Sequence, residues 1–142
     1  FGPRFHTQGI AEVIPPRMGP PYRTLVPAVD ADGNEVAGIR LPDVAVPLGS
    51  YTGWNLRAAE YGAEGVLAGL HGMYLPFART AKERQERDDP RWAVLKRYPT
   101  REDYLARMTG AALELHEQGF LLAEDVVATL KAASQRRLWR RP

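Results

Sequence analysis

The pattern of apolar positions is clearest in the last forty or so residues. Six apolar residues recur there at helical spacing: Tyr104, Leu105, Met108, Ala111, Ala112 and Leu115. Thr100 is a good N-cap with Asp103 at capping-box spacing, and Gly119 ends the helix. A second helix, over about residues 123–137, is expected to bury Val126, Val127, Leu130 and Ala133. The pattern predicts a helical hairpin with one apolar side, whose role is packing.

The first fifty residues have a different pattern. Eight of the twelve prolines lie there: Pro3, Pro15, Pro16, Pro20, Pro21, Pro27, Pro42 and Pro47. Proline lacks the amide donor and disfavours helix in the residue before it, so extended segments and turns are expected. Two β-prone runs, 25–29 and 35–41, flank the turn-forming residues 30–34, which predicts a β-hairpin. Residues 44–48 could add a short edge strand.

The chain divides near residue 78. Glycines at 62, 65, 69 and 72 keep the backbone irregular before that point, and a charged, helix-prone run follows at 81–87. In that run Glu83 and Arg87 have the spacing of a helical ion pair, and Asp88, Asp89 and Pro90 end it. We therefore predict an α+β chain. Residues 1–78 form a proline-rich, irregular and β-hairpin half, and residues 79–142 form a helical half.

Composition and charge exclude several classes of protein. A length of 142 residues with 44% apolar and 25% charged residues fits one domain or one lobe of a larger domain. The net charge of +2 is too small to imply a polyanionic partner. Five cations crowd the end, namely Lys131, Arg136, Arg137, Arg140 and Arg141. Trp139 is their one aromatic neighbour and no nucleic-acid-binding motif accompanies them, so a solvated helix end is favoured over nucleic-acid binding. No apolar stretch approaches the roughly 18 residues of a membrane span.

Neither serine has the sequence context of a hydrolase nucleophile. A nucleophile elbow requires Gly-x-Ser-x-Gly, whereas Ser50 lies in Gly49-Ser50-Tyr51-Thr52-Gly53, with the glycines misplaced on both sides. Ser134 lies among polar residues of the last predicted helix. A turn serine is the favoured interpretation of Ser50, and we predict no catalytic residue in this chain. The absence of cysteine also excludes disulfides and a thiolate nucleophile.

Metal and cofactor sites are not predicted either. His6, His71 and His116 are widely spaced, and no pair has metal-ligand spacing. The run that starts at Asp30 superficially resembles a calcium loop. It has Glu35 at the sixth position, which requires glycine, and Leu41 at the twelfth, which requires glutamate.

Five residues remain as weak candidates for substrate-pocket or interface contacts. Tyr51, Trp54, Asn55 and Arg57 are grouped between glycines, and such residues either anchor a segment to a neighbouring surface or line a pocket. His71 follows Leu70 between Gly69 and Gly72, and an ordinary loop histidine is favoured over a general base there. Both interpretations of the Tyr51–Arg57 group stay open.

Several motifs in the same order resemble one known family. They are Phe1-Gly2-Pro3-Arg4-Phe5, the run 26–34, Gly38-Ile39-Arg40-Leu41-Pro42, Tyr51-Thr52-Gly53-Trp54-Asn55 and Pro76-Phe77-Ala78-Arg79-Thr80. Together they resemble the C-terminal region of large bacterial alpha/beta hydrolase domain-containing proteins. The resemblance implies a serine-type α/β-hydrolase core placed before this region, and no family catalytic residue can be transferred to a position here. Since the sequence begins with Phe1, we expect a fragment or a processed or truncated chain.

The resemblance leads to two hypotheses of function. In the first, the chain is a C-terminal accessory lobe that packs on the hydrolase core of the same parent protein and shapes or covers the substrate entrance. The parent would hydrolyse a small ester-like substrate through an acyl-serine intermediate, and this chain alone would be inactive. The alternative is a small non-enzymatic module that binds another protein through exposed apolar surface.

Overall fold

The structure is a computed structural model that describes residues 1–20 and 23–139. In chain order its elements are α1 (Phe5–Gln8), α2 (Pro42–Ala45), β1 (Gly49–Thr52), a 3-10 turn (Ala59–Tyr61), β2 (Met73–Pro76), α3 (Ala81–Glu86), α4 (Val94–Arg97), α5 (Arg101–Glu117) and α6 (Ala123–Ser134). Strands β1 and β2 pair antiparallel, with Gly49 opposite Pro76 and Thr52 opposite Met73. This mixture of helices with a small sheet confirms the predicted α+β class.

The apolar core lies where α4, α5 and α6 meet the segments around β1 and β2. Its buried members are Val46, Leu48, Phe77, Val94, Tyr98, Tyr104, Met108 and Ala133. Tyr104 is at the centre, stacked on Trp139 at 5.0 Å between ring centroids and in edge contact with Tyr98 at 5.4 Å. Burying one such large side chain stabilises the fold by about 2 kcal/mol. Both halves of the sequence contribute residues to this core.

The predicted helical hairpin is confirmed, with one error on its second helix. Thr100 caps α5 as expected: its side chain accepts from Asp103 N, and the Asp103 carboxylate accepts from Thr100 N at 3.0 Å. Gly119 follows α5 with a φ of 78°, a conformation that glycine adopts readily. On α6, Val126 and Ala133 are buried, but Val127 is 67% exposed. Each helical residue is rotated by about 100° from the one before it, so Val127 lies away from the core.

The predicted β-hairpin over residues 25–41 is wrong apart from its turn. The two runs share a single bridge between Val29 and Glu35. Pro27 has no amide to extend the ladder on one side, and Gly38, with a φ of 80°, turns the chain away on the other. Residues 42–45 form α2 where a strand was predicted from residue 44. Pro42 lies in the first turn of α2, where its missing N–H has no intrahelical partner to lose.

Helix α3 begins and ends as the sequence predicts, but its ion pair differs. Lys82 and Glu86 pair at 3.8 Å on the exposed face. The Glu83 carboxylate accepts from Arg79 N at 2.9 Å, which occupies Glu83 at the start of α3. None of the helices in residues 1–20 and 23–139 combines the length and apolar character that crossing a membrane requires.

Candidate functional site

A buried polar junction joins the turn at residues 30–34 to β1. Asp30 Oδ1 accepts the amides of Asp32 at 2.9 Å and Asn34 at 3.0 Å, which fixes the turn. Gly33 has a φ of 78°, and a Cβ there would lie 3.0 Å from Ser50 Oγ. The turn therefore presses against Ser50, and glycine is needed at position 33 for both its conformation and this close approach. We call the turn, β1 and Arg91 together the turn–strand junction.

Asn34 is the fully buried side chain of this junction. Its Nδ2 donates to Gly49 O at 3.2 Å, and its Oδ1 accepts from Tyr51 N at 2.7 Å. The amide group thus satisfies the backbone on both sides of Ser50, as a neighbouring strand would. A buried backbone group without such a partner costs about 1–3 kcal/mol, so Asn34 is important for holding β1 in place.

Ser50 lies in strand β1 and not in a turn as the sequence favoured, and its environment there is structural. It is buried, and its hydroxyl donates to Asp32 O and accepts from Arg91 Nη1 at 2.8 Å. Arg91 also donates to Leu75 O at 3.0 Å and to the Asp89 carboxylate at 2.7 Å. The hydrogen bond from Arg91 lowers the pKa of Asp89, so this pair stays ionised. The Ser50 proton therefore points to a carbonyl, whereas a nucleophilic serine donates to a general base.

A second arginine ties the turn to the helical region. Arg97, the last residue of α4, donates through Nη1 to Asp32 Oδ2 at 2.6 Å and through Nη2 to Asp32 Oδ1. Its guanidinium lies over the Phe77 ring, 4.3 Å from the centroid. These contacts join positions 65 residues apart in sequence. The sequence around Arg91, Arg97 and Asn34 contains no local pattern that predicts these contacts. The sequence analysis therefore missed the roles of all three residues.

Tyr51 is the candidate residue that belongs to this junction. Its ring packs on Tyr74 with 4.7 Å between centroids, and the two rings are tilted by 31°. Burial is the main cause that raises the pKa of Tyr51, and Tyr74 raises it further. At neutral pH its phenol is therefore protonated. Tyr51 also lines a cavity of about 300 Å³ together with Glu35 and Arg40.

The other four candidates lie in the excursion between β1 and β2, which we call the arm (residues 53–72). The indole Nε1 of Trp54 is buried and has no hydrogen-bond partner in the described part of the chain. Asn55 makes local bonds: its Oδ1 accepts from Leu56 N at 2.8 Å, and its carbonyl accepts from Ala68 N at 2.8 Å. The backbone bond between Asn55 and Ala68 and the bridge between Leu56 and Leu67 close the arm into a narrow loop.

Arg57 and His71 are exposed members of the arm. Arg57 Nη2 lies 3.5 Å from Tyr61 O, and His71 Nδ1 lies 2.6 Å from Gly69 O. Both bonds are local, and neither connects the side chain to Ser50 or to Tyr51. Leu70, next to His71, is fully exposed and has a φ of 59°, which is strained for leucine. The structure therefore places four of the five candidates in the arm and Tyr51 in β1, and it does not assemble them into a catalytic group.

In residues 1–20 and 23–139, no group of three or more His, Asp or Glu side chains is arranged to hold a metal ion. The comparisons with known proteins give one match. Residues 3–131 match a family model described as "Alpha/beta hydrolase domain", a span that contains the turn–strand junction and all five candidate residues. No curated protein and no solved structure matches the chain.

Proposed function

The chain belongs to the Alpha/beta hydrolase domain family, and from that membership we propose that it acts as a C-terminal accessory lobe. In this proposal, residues 1–78 and 79–142 form one lobe that packs on an α/β-hydrolase core and shapes or covers the substrate entrance. The core belongs to the same parent protein and hydrolyses an ester or related acyl bond. The nucleophilic serine lies outside these 142 residues and forms the acyl intermediate.

The state of the two serines supports placing the nucleophile elsewhere. An elbow serine needs an exposed hydroxyl held at a strained strand-to-helix turn. Ser50 lies within strand β1 and is bonded to Asp32 and Arg91. Ser134 is the last residue of α6, and its hydroxyl donates to Lys131 O at 2.7 Å. Neither side chain is free to attack a substrate carbonyl in this arrangement.

The observation that carries the proposal is the exposed apolar surface of the first 76 residues. Large apolar side chains are exposed at Phe1, Ile10, Ile14, Met18, Leu25, Val26, Val29, Val36, Ile39, Leu41, Leu56, Tyr61, Val66, Leu67, Leu70, Tyr74 and Leu75. Beyond residue 76, the same description applies to Trp92, Leu113, Phe120, Leu122 and Val127. So many exposed large apolar side chains in one half of the chain support a surface that is covered by another domain, which is what a lobe seated on a hydrolase core requires.

The arm is the segment that we assign to the contact with the core. It presents Leu56, Val66, Leu67 and Leu70 to solvent, and Thr24 Oγ1 donates to Gly65 O at 2.8 Å. Under the proposal, Tyr51, Trp54, Asn55, Arg57 and His71 are contacts to the core or to the substrate entrance.

The proposal is tested by titrating the chain with a separately produced α/β-hydrolase core of the same parent protein. The paired change Leu67→Ser and Leu70→Ser should weaken binding at least about tenfold, because two leucines lose their apolar contacts. The matched control pair, Leu113→Ser and Leu122→Ser, changes exposed leucines of the helical region and should leave binding unchanged. Equal binding by all three chains would remove the arm from the interface.

The competing interpretation is a non-enzymatic module that uses the same apolar surface to bind an unrelated protein. It predicts no binding to the hydrolase core and no effect on ester turnover when the chain is added. The accessory-lobe proposal predicts that the core binds the chain and that Trp54→Ala alters turnover or stability of the complete protein. If Trp54→Ala left both the turnover and the stability of the complete protein unchanged, this result would argue against a contact between Trp54 and the core or the substrate entrance.

A further inference from the structure

A separate cleft of about 1190 Å³ lies where the beginning of α5 meets the end of α6. Its described lining combines basic, apolar and small polar residues: Arg79, Leu95, Pro99, Thr100, Arg101, Glu102, Ser134, Gln135, Arg136, Arg137 and Trp139. Four of these carry a guanidinium and one, Glu102, carries a carboxylate. A concentration of positive charge in a concave surface favours an anion.

Two of the arginines are held in position by backbone carbonyls near the end of the chain. Arg79 Nε donates to Leu138 O at 2.6 Å, and Arg101 Nη2 donates to Ser134 O, a carbonyl at the end of α6. Arg136 Nη2 lies 3.7 Å from Asp43 Oδ1, and both of these side chains are about half exposed. Arg137 is exposed to solvent. The pair at Arg136 is therefore weak and screened, and it leaves that guanidinium able to bind another oxyanion.

Part of the cleft is apolar and rigid. Leu95, Pro99 and Trp139 line it, and Trp139 is fixed by stacking on Tyr104 and by an Nε1 bond to Tyr98 O at 2.9 Å. For a ligand with an apolar surface, the desolvation cost of covering this part of the cleft is small. Sites that combine apolar walls with a few fixed polar groups are typical of small organic ligands.

We propose that this cleft binds a small organic anion, with a carboxylate or phosphate group on an apolar body. The oxyanion meets the guanidinium groups, whose planar donors suit two-oxygen contacts, and the body lies against Pro99 and Trp139. The proposal rests on the cleft alone and does not depend on the accessory-lobe function. It differs from the solvated helix end that the sequence favoured, because the cations share a concave surface with an aromatic ring.

Calorimetric titration of the full chain with benzoate and with phenyl phosphate tests the proposal. Both probes should bind saturably, and the tighter of the two identifies the preferred oxyanion. The change Arg136→Gln with Arg137→Gln should weaken binding about fivefold, the loss expected for two exposed ion pairs. The control pair, Arg87→Gln with Lys131→Gln, removes the same charge from exposed positions outside the cleft lining and should alter binding less than twofold.

Two further probes separate the parts of the site. Inorganic phosphate should bind more weakly than phenyl phosphate, because it lacks the body that covers Trp139. Benzyl alcohol should not bind, because it lacks the charge. Equal weakening by the two variant pairs would show diffuse charge attraction and overturn the proposal. Absence of binding by both anions, or binding of the neutral alcohol as strong as theirs, would also overturn it.

Discussion

The helical region from residue 77 onward and the region before it are stabilised in different ways. Tyr104, Met108 and Ala112 are almost completely buried, and apolar packing defines their positions. By contrast, residues 1–20 and 23–30 include no buried residue, and the next segment is held by Asp30, Asn34 and their bonds to backbone. The comparison shows that the first region, apart from Val46 and Leu48 in the shared core, depends on specific polar bonds. It leaves many large apolar side chains exposed to water, which is a property of interaction surfaces.

The largest difference between the regions is expected for apolar truncation. Met108→Ala should lower the free energy of unfolding by about 3 kcal/mol, because it leaves a cavity beside Tyr104. Leu70→Ala, at a fully exposed position of the arm, should change it by less than about 0.5 kcal/mol. Urea unfolding followed by circular dichroism measures both values. A large loss for Leu70→Ala would mean that the arm is packed within this chain.

A polar truncation should be costly in the first region where the side chain holds buried backbone. Asn34→Ala should cost about 2–3 kcal/mol, because it leaves Gly49 O and Tyr51 N buried without partners. Asn55→Ala is the matched control, since the Asn55 side chain bonds only to the adjacent Leu56 amide in the described structure. It should cost under about 1 kcal/mol in the same urea unfolding experiment. Similar losses for the two variants would contradict the role given to Asn34.

Alkaline pH should weaken the helical core through Tyr104. Burial raises the pKa of Tyr104 from 10.0 to about 12. Because the folded chain holds this proton more tightly than the unfolded chain, its contribution is fully present below pH 10 and is lost as pH rises to 12. The loss from this group is about 3 kcal/mol. Between pH 10 and pH 12 the free energy of unfolding should fall less for Tyr104→Phe than for the unchanged chain. An identical pH dependence of the two proteins would contradict the pKa given to Tyr104.

The smallest effect concerns the strained position of the arm. Leu70→Gly should leave stability unchanged or raise it by up to about 1 kcal/mol, because glycine adopts a positive φ without strain. The same change removes exposed apolar surface, so the fluorescence of an apolar dye bound to the chain should fall. Tyr61→Ser provides a comparison that removes apolar surface without altering strain. A clear loss of stability in Leu70→Gly would show that Leu70 packs on the chain itself.

The sequence predicts α3, α5 and α6 because their signals are local, whereas the four-residue helices α1, α2 and α4 were not predicted. The periodicity from Tyr104 to Leu115, the Thr100 cap and Gly119 lie within twenty residues and define α5 without distant contacts. The sheet is different, since Gly49 pairs with Pro76 across the whole arm. Four-residue strands with so little alternation carry no local signal that identifies the partner. The sequence therefore led to a predicted β-hairpin at the β-prone runs 25–29 and 35–41 and not at the observed strands.

The candidate site, too, could be predicted from the sequence only in part. The glycine spacing around Ser50 argued against a nucleophile elbow. In the structure the Ser50 hydroxyl is bonded to Asp32 and Arg91, which is a structural role. Those partners could not be predicted, because Arg91 is 41 residues from Ser50. The basic residues at 136 and 137 were visible in the sequence, whereas their position beside Trp139 in a cleft depends on how α6 ends. Arg140 and Arg141 of the predicted basic tail lie outside the described residues.

The central proposal is that the nucleophile of this family member lies outside these 142 residues. Labelling the purified chain with a fluorophosphonate probe, followed by peptide mass spectrometry, tests it most directly. The account predicts no labelled residue, because the Ser50 hydroxyl is buried between Asp32 and Arg91 and the Ser134 hydroxyl is bonded to Lys131. Stoichiometric labelling at Ser50 would contradict it and would place a working active site in the turn–strand junction.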